Sequence, residues 1–227
     1  MKFKDYRFVN LASEGVHNRQ MKALNDFPKV EGQTDTYCTY FRYPIDMIEH
    51  YNEKQSVKGY QGKAWADWLP IDIDSDNLQQ AQFSLQALVM NLEDYGIDVD
   101  TCRFYFSGAK GFHVMIPSGY FTQEPSHDIH KRFRRVAISL SNNLDIDTSI
   151  YDKTRIFRLP NTINSKTGLY KIEGYPFEAM HSSIYEIKQK AKTPREKFEI
   201  ETDYDLSEEL TKIYHEELSK PQGKTTK

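Results

Sequence analysis

The amino-acid sequence predicts an α+β protein of two lobes, in which an N-terminal αβ accessory lobe precedes a larger core. From residue 68 onward the apolar and polar patterns follow the order strand, helix, strand, strand, helix and strand, which includes one βαβ unit. The first 65 residues contain strand and helix patterns of their own. A chain of 227 residues can bury such a core without disulfides or a structural metal.

The accessory lobe, residues 1–65, contains two clear elements. Residues 36–43 alternate aromatic and polar side chains as in a strand, and Pro44 ends it because proline has no N–H for a ladder hydrogen bond. Residues 45–55 follow as a short helix. The lobe is therefore expected to contribute a sheet edge of its own.

The core, residues 66–180, opens with the apolar strand 68–74, which ends in acidic residues. Asn77 caps the next helix and Gly96 ends it. The apolar face of this helix has helical spacing and consists of Leu78, Ala81, Leu85, Leu88, Val89, Leu92 and Tyr95. The later elements are two strands joined by a tight turn, a basic amphipathic helix, an extended segment and a hairpin turn. The strands are residues 102–106 and 112–117, and the turn between them is 107–111. The helix is 127–142, the extended segment is 155–160 and the hairpin turn is 164–168.

Composition indicates a globular cytoplasmic protein. The chain is 38% hydrophobic and 28% charged, with no run of about 18 apolar residues and no apolar leader, so we expect no contact with a membrane. Cys38 and Cys102 lie in apolar, strand-like stretches, and we therefore expect buried free thiols and no structural zinc.

The charges are unevenly distributed, although the net charge is only −3. Residues 131–171 contain nine Lys or Arg and three Asp, whereas residues 199–218 contain eight acidic residues and one Lys. Such a distribution is typical of a phosphate-binding face backed by a solvated acidic surface. Within and after the acidic segment we expect a C-terminal helix at 206–219 and a flexible tail or linker at 220–227.

Three patterns carry candidate chemistry, and the first is the strand end Ile-Asp-Ile-Asp at 71–74. Alternation puts Asp72 and Asp74 on one face of the strand and Ile71 and Ile73 in the core. Two carboxylates held this close repel each other unless a cation compensates them, and oxygen ligands suit Mg²⁺ or Mn²⁺. Taken alone, such a pair is more often a surface feature.

The second pattern is the turn and strand Ser-Gly-Ala-Lys-Gly-Phe-His at 107–113. Its glycines would let backbone N–H groups approach phosphate oxygens. Lys110 would add a positive charge, and Ser107 and His113 would add hydrogen-bond donors. The alternative interpretation is a hairpin turn with a structural histidine.

The third pattern extends over 147–170, where Asp147 precedes Arg158 and Lys166. Taken alone, it fits the charged rim of a hairpin equally well. Asp145 and Asp147 would share one face of a strand, so alternation does not decide which of them is a ligand.

Together and in this order, the three patterns resemble the motifs of the archaeo-eukaryotic primase superfamily, the catalytic domains of primase small subunits and primase-polymerases. Those motifs are an hDhD strand, an S-G-x-K-G-h-H turn and strand, and a later hD followed by R-h-h-R-h-P and K-T-G. They correspond to residues 71–74, 107–113 and 144–168. The resemblance implies a two-lobed fold with an RRM-like catalytic core, in a primase-polymerase domain over residues 1–205.

The resemblance also implies roles for individual residues. It assigns catalysis and the binding of two divalent ions, Mg²⁺ or Mn²⁺, to Asp72, Asp74 and Asp147. It assigns contacts with the triphosphate of a nucleotide to Ser107, Lys110, His113 and Arg158. Asp147 is preferred over Asp145 because family members place a β-branched residue three positions after the ligand, where Ile150 stands. Weaker candidates for contacts with a nucleic-acid backbone are Arg132, Arg135 and Lys166.

The implied function is that of a DNA primase-polymerase, which initiates or extends primers on single-stranded DNA with NTPs or dNTPs by two-metal-ion catalysis. One alternative is a repair polymerase of the same superfamily that joins ends or fills gaps. Another is a non-catalytic RRM-like domain that binds single-stranded nucleic acid, although three positioned carboxylates would repel its phosphates. The motifs leave open the choice of nucleotide and the need for a further domain or a helicase beyond the tail.

Overall fold

The computed structural model describes residues 4–200 and 203–216, which form two antiparallel sheets and six helices. The strands are β1 (Phe8–Ala12), β2 (Arg19–Ala23), β3 (Tyr37–Thr39), β4 (Trp68–Asp74), β5 (Arg103–Phe106), β6 (Gly111–Pro117), β7 (Ile156–Arg158) and β8 (Ile172–Gly174). The helices are α1 (Asp46–Lys54), α2 (Leu78–Asp94), α3 (Ile129–Ser141), α4 (Pro176–His181), α5 (Ile184–Lys190) and α6 (Glu208–His215). The α+β class predicted from the sequence is confirmed.

The first sheet has the strand order β2-β1-β3-β7. Its first three strands come from the predicted accessory lobe, but β7 comes from the third sequence pattern. β3 and β7 pair antiparallel with Tyr37 opposite Arg158. This pairing joins the N-terminal lobe to a segment that the sequence analysis assigned to the core.

The second sheet has the strand order β4-β6-β5-β8. β6 pairs with β4 and β5, so it separates the two strands of the predicted βαβ unit. The sequence placed the extended segment 155–160 within the core range 66–180, whereas in the structure β8 completes the second sheet and β7 joins the first. Alternation identifies a strand but not its partner, because partner choice depends on contacts distant in sequence.

The hydrophobic core lies between the second sheet and the helices α2 and α3. Ile71 and Ile73 of β4 are fully buried in it, as the alternation predicted. The side chain of Asn77 accepts a hydrogen bond from the N–H of Gln79 and caps α2, and Gly96 follows the helix with a φ of +71°. The opposite face of the second sheet carries Asp72 and Asp74, which line a cavity together with residues of the first sheet.

Three remaining expectations concern the cysteines, membrane spans and the C-terminus. Cys38 and Cys102 are free and buried, as predicted. No described helix is both long and apolar enough to cross a membrane. α6 lies within the range predicted for the C-terminal helix, while residues 217–227, which include the predicted tail at 220–227, lie outside the described residues.

Candidate active site

A cavity of about 390 Å³ opens between the two sheets and brings the three sequence patterns together. Seven of the predicted site residues line it, namely Asp72, Asp74, Ser107, Lys110, His113, Arg158 and Lys166. Acidic side chains of β4 and basic side chains of later segments therefore share one opening. Its volume is within the range of pockets that bind small ligands.

Asp72 is the most buried carboxylate of the cavity, with 14% of its side chain exposed. It stands opposite His113 in the register of β4 and β6. Burial raises the pKa of Asp72 to about 7, and the negative charges of Asp74 and Asp147 add to this effect. Its Oδ1 atom is buried and has no hydrogen-bond partner. A positive charge at this point would stabilise the ionised carboxylate.

Asp74 is more exposed and contacts the base of the glycine-rich turn. Its Oδ2 lies 3.6 Å from Nζ of Lys110, which also lies 4.0 Å from Oδ1 of Asp76. A Cβ atom at Gly111 would come within 2.1 Å of the Ile73 carbonyl oxygen, so only glycine allows the turn to pass this close to β4. The close approach holds Lys110 at the mouth of the cavity.

Asp147 lies beside Asp72 along the outer edge of β4. Its N–H donates to the carbonyl oxygen of Asp72 at 3.1 Å. Its Oδ1 accepts a hydrogen bond from the N–H of Ser149 at 2.8 Å, and its Oδ2 lies 3.3 Å from Nη2 of Arg155. Asp145 is exposed. The structure thus places Asp147, the acid preferred from the sequence, next to Asp72.

The three carboxylates offer oxygen donors of the kind that divalent ions prefer, but two of them are paired with basic side chains. Across residues 4–200 and 203–216, no three His, Cys, Asp or Glu side chains are already grouped as a metal site. The carboxylates of Asp74 and Asp147 contact Lys110 and Arg155 instead. The chemistry nevertheless fits, because oxygen donors suit Mg²⁺ and Mn²⁺ and the buried Oδ1 of Asp72 has no hydrogen-bond partner.

His113 is enclosed by partners on both ring nitrogens. Its Nε2 lies 3.3 Å from Oδ1 of Asp72, within ion-pair distance but without hydrogen-bond geometry. Its Nδ1 lies 2.9 Å from Nζ of Lys171, and its ring packs edge-on against Phe157. Burial lowers the pKa of His113 well below its usual value, as do the charges of Lys171 and Arg158. The imidazole is therefore neutral.

The turn at 107–111 has less free backbone than the sequence suggested. Oγ of Ser107 accepts hydrogen bonds from the N–H groups of Ala109 at 3.4 Å and Gly111 at 3.2 Å. These two N–H groups already have a partner within the turn, so binding a phosphate oxygen would require them to give up that hydrogen bond. Gly108 has a φ of +80° and packs against the backbone of Leu169, which joins the turn to the Lys-Thr-Gly hairpin.

Arg158 is held by the N-terminal lobe. Its Nη1 donates to Oδ1 of Asp35 at 2.7 Å and to the carbonyl oxygen of Ile163 at 2.8 Å. Its Nη2 donates to the hydroxyl oxygen of Tyr37 at 2.7 Å, and the guanidinium lies over the Tyr37 ring. Burial raises the pKa of Asp35, but hydrogen bonds from Ser165 and Arg158 outweigh it and the net pKa is lowered. Arg158 thus reaches the cavity in a fixed orientation.

Comparison with known proteins adds a distant likeness. No family model matches the sequence, and no curated protein matches it. Among solved structures, the chain is similar to the polymerase domain of Mycobacterium tuberculosis Ligase D in complex with DNA. The two chains are 14% identical, each is covered over 82% of its length, and the TM-score is 0.44. A likeness at this level establishes neither family nor activity.

Arg132 and Arg135, the weaker candidates for contacts with a nucleic-acid backbone, contact helix α6 in the structure. Nη1 of Arg132 donates to the carbonyl oxygen of Tyr214 at 2.8 Å, and Nη1 of Arg135 donates to those of Ile213 and Glu216. These carbonyl groups lie at the C-terminal end of α6, the negative end of the helix dipole. Neither arginine lines the cavity. The two side chains therefore cap α6, and this geometry does not favour the predicted contacts with a nucleic-acid backbone.

Three residues that contact the site were not singled out from the sequence. Asp35 and Tyr37 precede and begin β3, which carries no motif. Lys171 follows the hairpin and is buried although it carries a charged group. No clear sequence signal marks Lys171, because the strand that follows it, β8, is short and itself contains the charged Glu173.

Proposed function

We propose that the cavity is the active site of a template-directed nucleotidyltransferase, a DNA primase-polymerase that works with Mg²⁺ or Mn²⁺. One observation carries the proposal: a single cavity of nucleotide size combines the acidic end of β4 with four basic side chains. Those side chains are Lys110, Arg155, Arg158 and Lys166. Catalysis of phosphoryl transfer consists largely of positioning and charge compensation, and this combination provides both.

The three carboxylates would hold the metal ions in this proposal. Asp72, Asp74 and Asp147 would bind two divalent ions, which when bound would activate a primer 3′-hydroxyl group and stabilise the departing pyrophosphate. The raised pKa of Asp72 and its unpartnered Oδ1 atom support this assignment, because a bound cation would satisfy both. Asp74 and Asp147 would exchange their contacts with basic side chains for the ions.

The basic side chains would bind the triphosphate of an NTP or dNTP. Lys110 and Lys166 are exposed at the cavity, so each can pair with a phosphate group without losing a buried contact. Arg158 contributes a fixed positive charge, since Asp35 and Tyr37 already hold its guanidinium. His113 and Ser107 would donate hydrogen bonds from the strand and the turn. Single-stranded DNA would supply the template and the primer.

The non-catalytic alternative finds less support in the second sheet. RRM-like binders stack bases on aromatic side chains exposed on adjacent strands. Here Phe104, Tyr105, Phe106 and Phe112 are at most 6% exposed. The sheet offers no such stacking surface at these positions, and the carboxylates beside it would repel a phosphate backbone.

An extension assay tests the proposal. The protein is incubated with a single-stranded DNA template, labelled nucleotides and Mn²⁺, with and without an annealed primer. Extension of the primer is expected, and labelled dinucleotides without primer would add primase activity. A product only from gapped or end-joined duplexes would favour the repair alternative. No incorporation under any of these conditions would overturn the proposal.

Matched variants separate chemistry from folding. Asp72→Asn should abolish incorporation, whereas Asp100→Asn changes an exposed acid that does not line the cavity and should not. Mn²⁺ should also raise the Tm of the wild-type protein and leave that of Asp72→Asn nearly unchanged, because only the former retains the central carboxylate. An equal shift in both proteins would contradict the assignment of Asp72 as a ligand.

A further inference from the structure

Lys171 is a buried lysine that joins the two sheets behind the candidate active site. It is 3% exposed. Its Nζ atom lies 2.9 Å from Nδ1 of His113 in the second sheet and 2.9 Å from the carbonyl oxygen of Arg158 in the first. The ring of Tyr105 lies 4.8 Å from the same nitrogen. One amine therefore contacts two of the predicted site residues.

The position of this amine is costly for the fold. Burial lowers the pKa of Lys171 to about 7, because removing an ammonium group from water is unfavourable. No carboxylate in the described part of the chain lies within 4.0 Å of Nζ as an ion-pair partner. Its described hydrogen-bond partners are the imidazole and one carbonyl group. A methionine of similar length would pack against the aromatic rings without this cost.

The hydrogen-bond chemistry of the pair determines the tautomer of His113. The contacts of Nζ suit the ammonium form of Lys171, because it lies 2.9 Å from the carbonyl oxygen of Arg158 and over the ring faces of Tyr105 and Phe157. An ammonium group has three donors and no acceptor, so in this form Lys171 donates to Nδ1 of His113. The ring proton of a neutral imidazole is then on Nε2, which faces Oδ1 of Asp72 at 3.3 Å. The opposite tautomer would place a lone pair of Nε2 against Oδ1 of ionised Asp72, which is repulsive.

We propose that Lys171 is a positioning residue, which donates to Nδ1 of His113 and thereby keeps its Nε2–H directed toward Asp72. His113 then serves as a hydrogen-bond donor at Nε2, to Asp72 or to a phosphate oxygen beside it. It does not serve as a proton acceptor at that atom. The tautomer follows from the contacts of His113 and from the ammonium form of Lys171, whereas its consequence for nucleotide binding rests on the proposed function.

Nuclear magnetic resonance of protein labelled with ¹⁵N-histidine tests the tautomer directly. Long-range ¹H–¹⁵N spectra distinguish a protonated from an unprotonated ring nitrogen, and His113→Gln identifies the resonances of this residue. In the wild-type protein Nε2 should be protonated and Nδ1 unprotonated. In Lys171→Met the signals should shift toward a mixture of tautomers, while Lys110→Met, which changes a cavity lysine without contact to His113, should leave them unchanged.

Two results would overturn the proposal. One is a wild-type spectrum in which Nδ1 of His113 carries the proton. This measurement needs no variant, so it tests the proposal even if Lys171→Met does not fold. The other is a folded Lys171→Met protein with the wild-type tautomer.

If extension activity exists, Lys171→Met should lower kcat/KM for the nucleotide about 10- to 100-fold, the usual effect of removing an outer hydrogen-bond partner of a site residue. If no activity is found but the tautomer is as expected, the proposed function fails and the role of Lys171 in setting the tautomer stands.

Discussion

Single residues differ in importance even where the sequence places them two positions apart. Asp147 contacts the backbone of Asp72 and pairs with Arg155, whereas Asp145 is exposed. We expect Asp147→Asn to lower primer extension at least about 100-fold, because it removes a carboxylate that would compensate the charge of a metal ion. Asp145→Asn should lower it less than about tenfold. Extension rates over a Mn²⁺ titration measure both effects.

Which of the two variants loses more primer extension decides which aspartate is the metal ligand. Thermal unfolding of both proteins serves as the control, since neither side chain is part of the core. An inactive Asp145→Asn together with an active Asp147→Asn would show that the ligand of the third motif had been misassigned.

Asp35 is a second residue whose effect can be isolated. Asparagine has the same size and also tolerates the φ of +47° at this position, so Asp35→Asn removes the negative charge and with it the charge-assisted hydrogen bond from Arg158. Loss of one charge-assisted hydrogen bond is worth about 1.5 kcal/mol, or about tenfold in affinity. We therefore expect the KM for the nucleotide to rise about tenfold, as steady-state kinetics would show.

An exposed acid of the same lobe provides the comparison for this prediction. Asp26→Asn should change neither KM nor Tm. An unchanged KM in Asp35→Asn would indicate that the hydrogen bonds to Tyr37 and Ile163 are sufficient to hold Arg158.

At the scale of elements, the contact between α3 and α6 changes what the basic helix is expected to do. Arg132 and Arg135 cap the end of α6. Replacing both with glutamine should lower the free energy of unfolding by about 1–3 kcal/mol, because cations at a helix C-terminus and their hydrogen bonds are lost. Urea denaturation measures this change.

The exposed residues of the same helix form a charge-matched control. Lys131→Gln with Arg134→Gln removes two charges from α3 without removing a contact to α6 and should cost less stability. Single-stranded DNA binding should have the same salt dependence in both double variants. A slope that falls by about one unit or more only in the Arg132 and Arg135 variant would show that these side chains face the strand after all.

At the scale of the whole molecule, the buried acid of the cavity should make stability depend on pH. Burial raises the pKa of Asp72 from 3.8 to about 7, so between these values the folded protein binds more protons than the unfolded chain. Stability therefore falls as the pH rises through this range. In metal-free solution we expect Asp72→Asn to become more stable relative to wild type from about pH 4 to about pH 7, with a constant difference above that.

Denaturation curves with a chelator present, recorded at several pH values, test this expectation. Asp145→Asn should show no such trend, since that carboxylate is exposed. A stability difference between Asp72→Asn and wild type that is the same at low and high pH would contradict the raised pKa of Asp72.

Local rules were sufficient for several parts of the fold and the site. The alternation in β4 predicted that Ile71 and Ile73 are buried and that Asp72 and Asp74 share the other face, because strand periodicity is a local property. The cap at Asn77 and the glycine after α2 were predicted for the same reason. The three motifs, taken together, also identified residues that line one cavity in the structure.

Other features depend on partners far away in the chain. β7 was predicted as a strand, but only the assembled fold pairs it with β3 and brings Asp35 and Tyr37 to Arg158. The basic helix was predicted correctly as a helix, yet its arginines contact α6 rather than the cavity. A charge pattern shows that a cation is present but not which acceptor lies nearby.

The sequence by itself determined the α+β class, the positions of the main strands and helices, and the residue types that the site contains. The tertiary structure alone decided which strand joins which sheet, that Asp147 lies beside Asp72, and that Lys171 is buried against His113. The physical reason is that periodicity and capping depend on neighbours within a few residues. Pairing, burial and pKa depend on the low-dielectric surroundings that form only when distant segments meet.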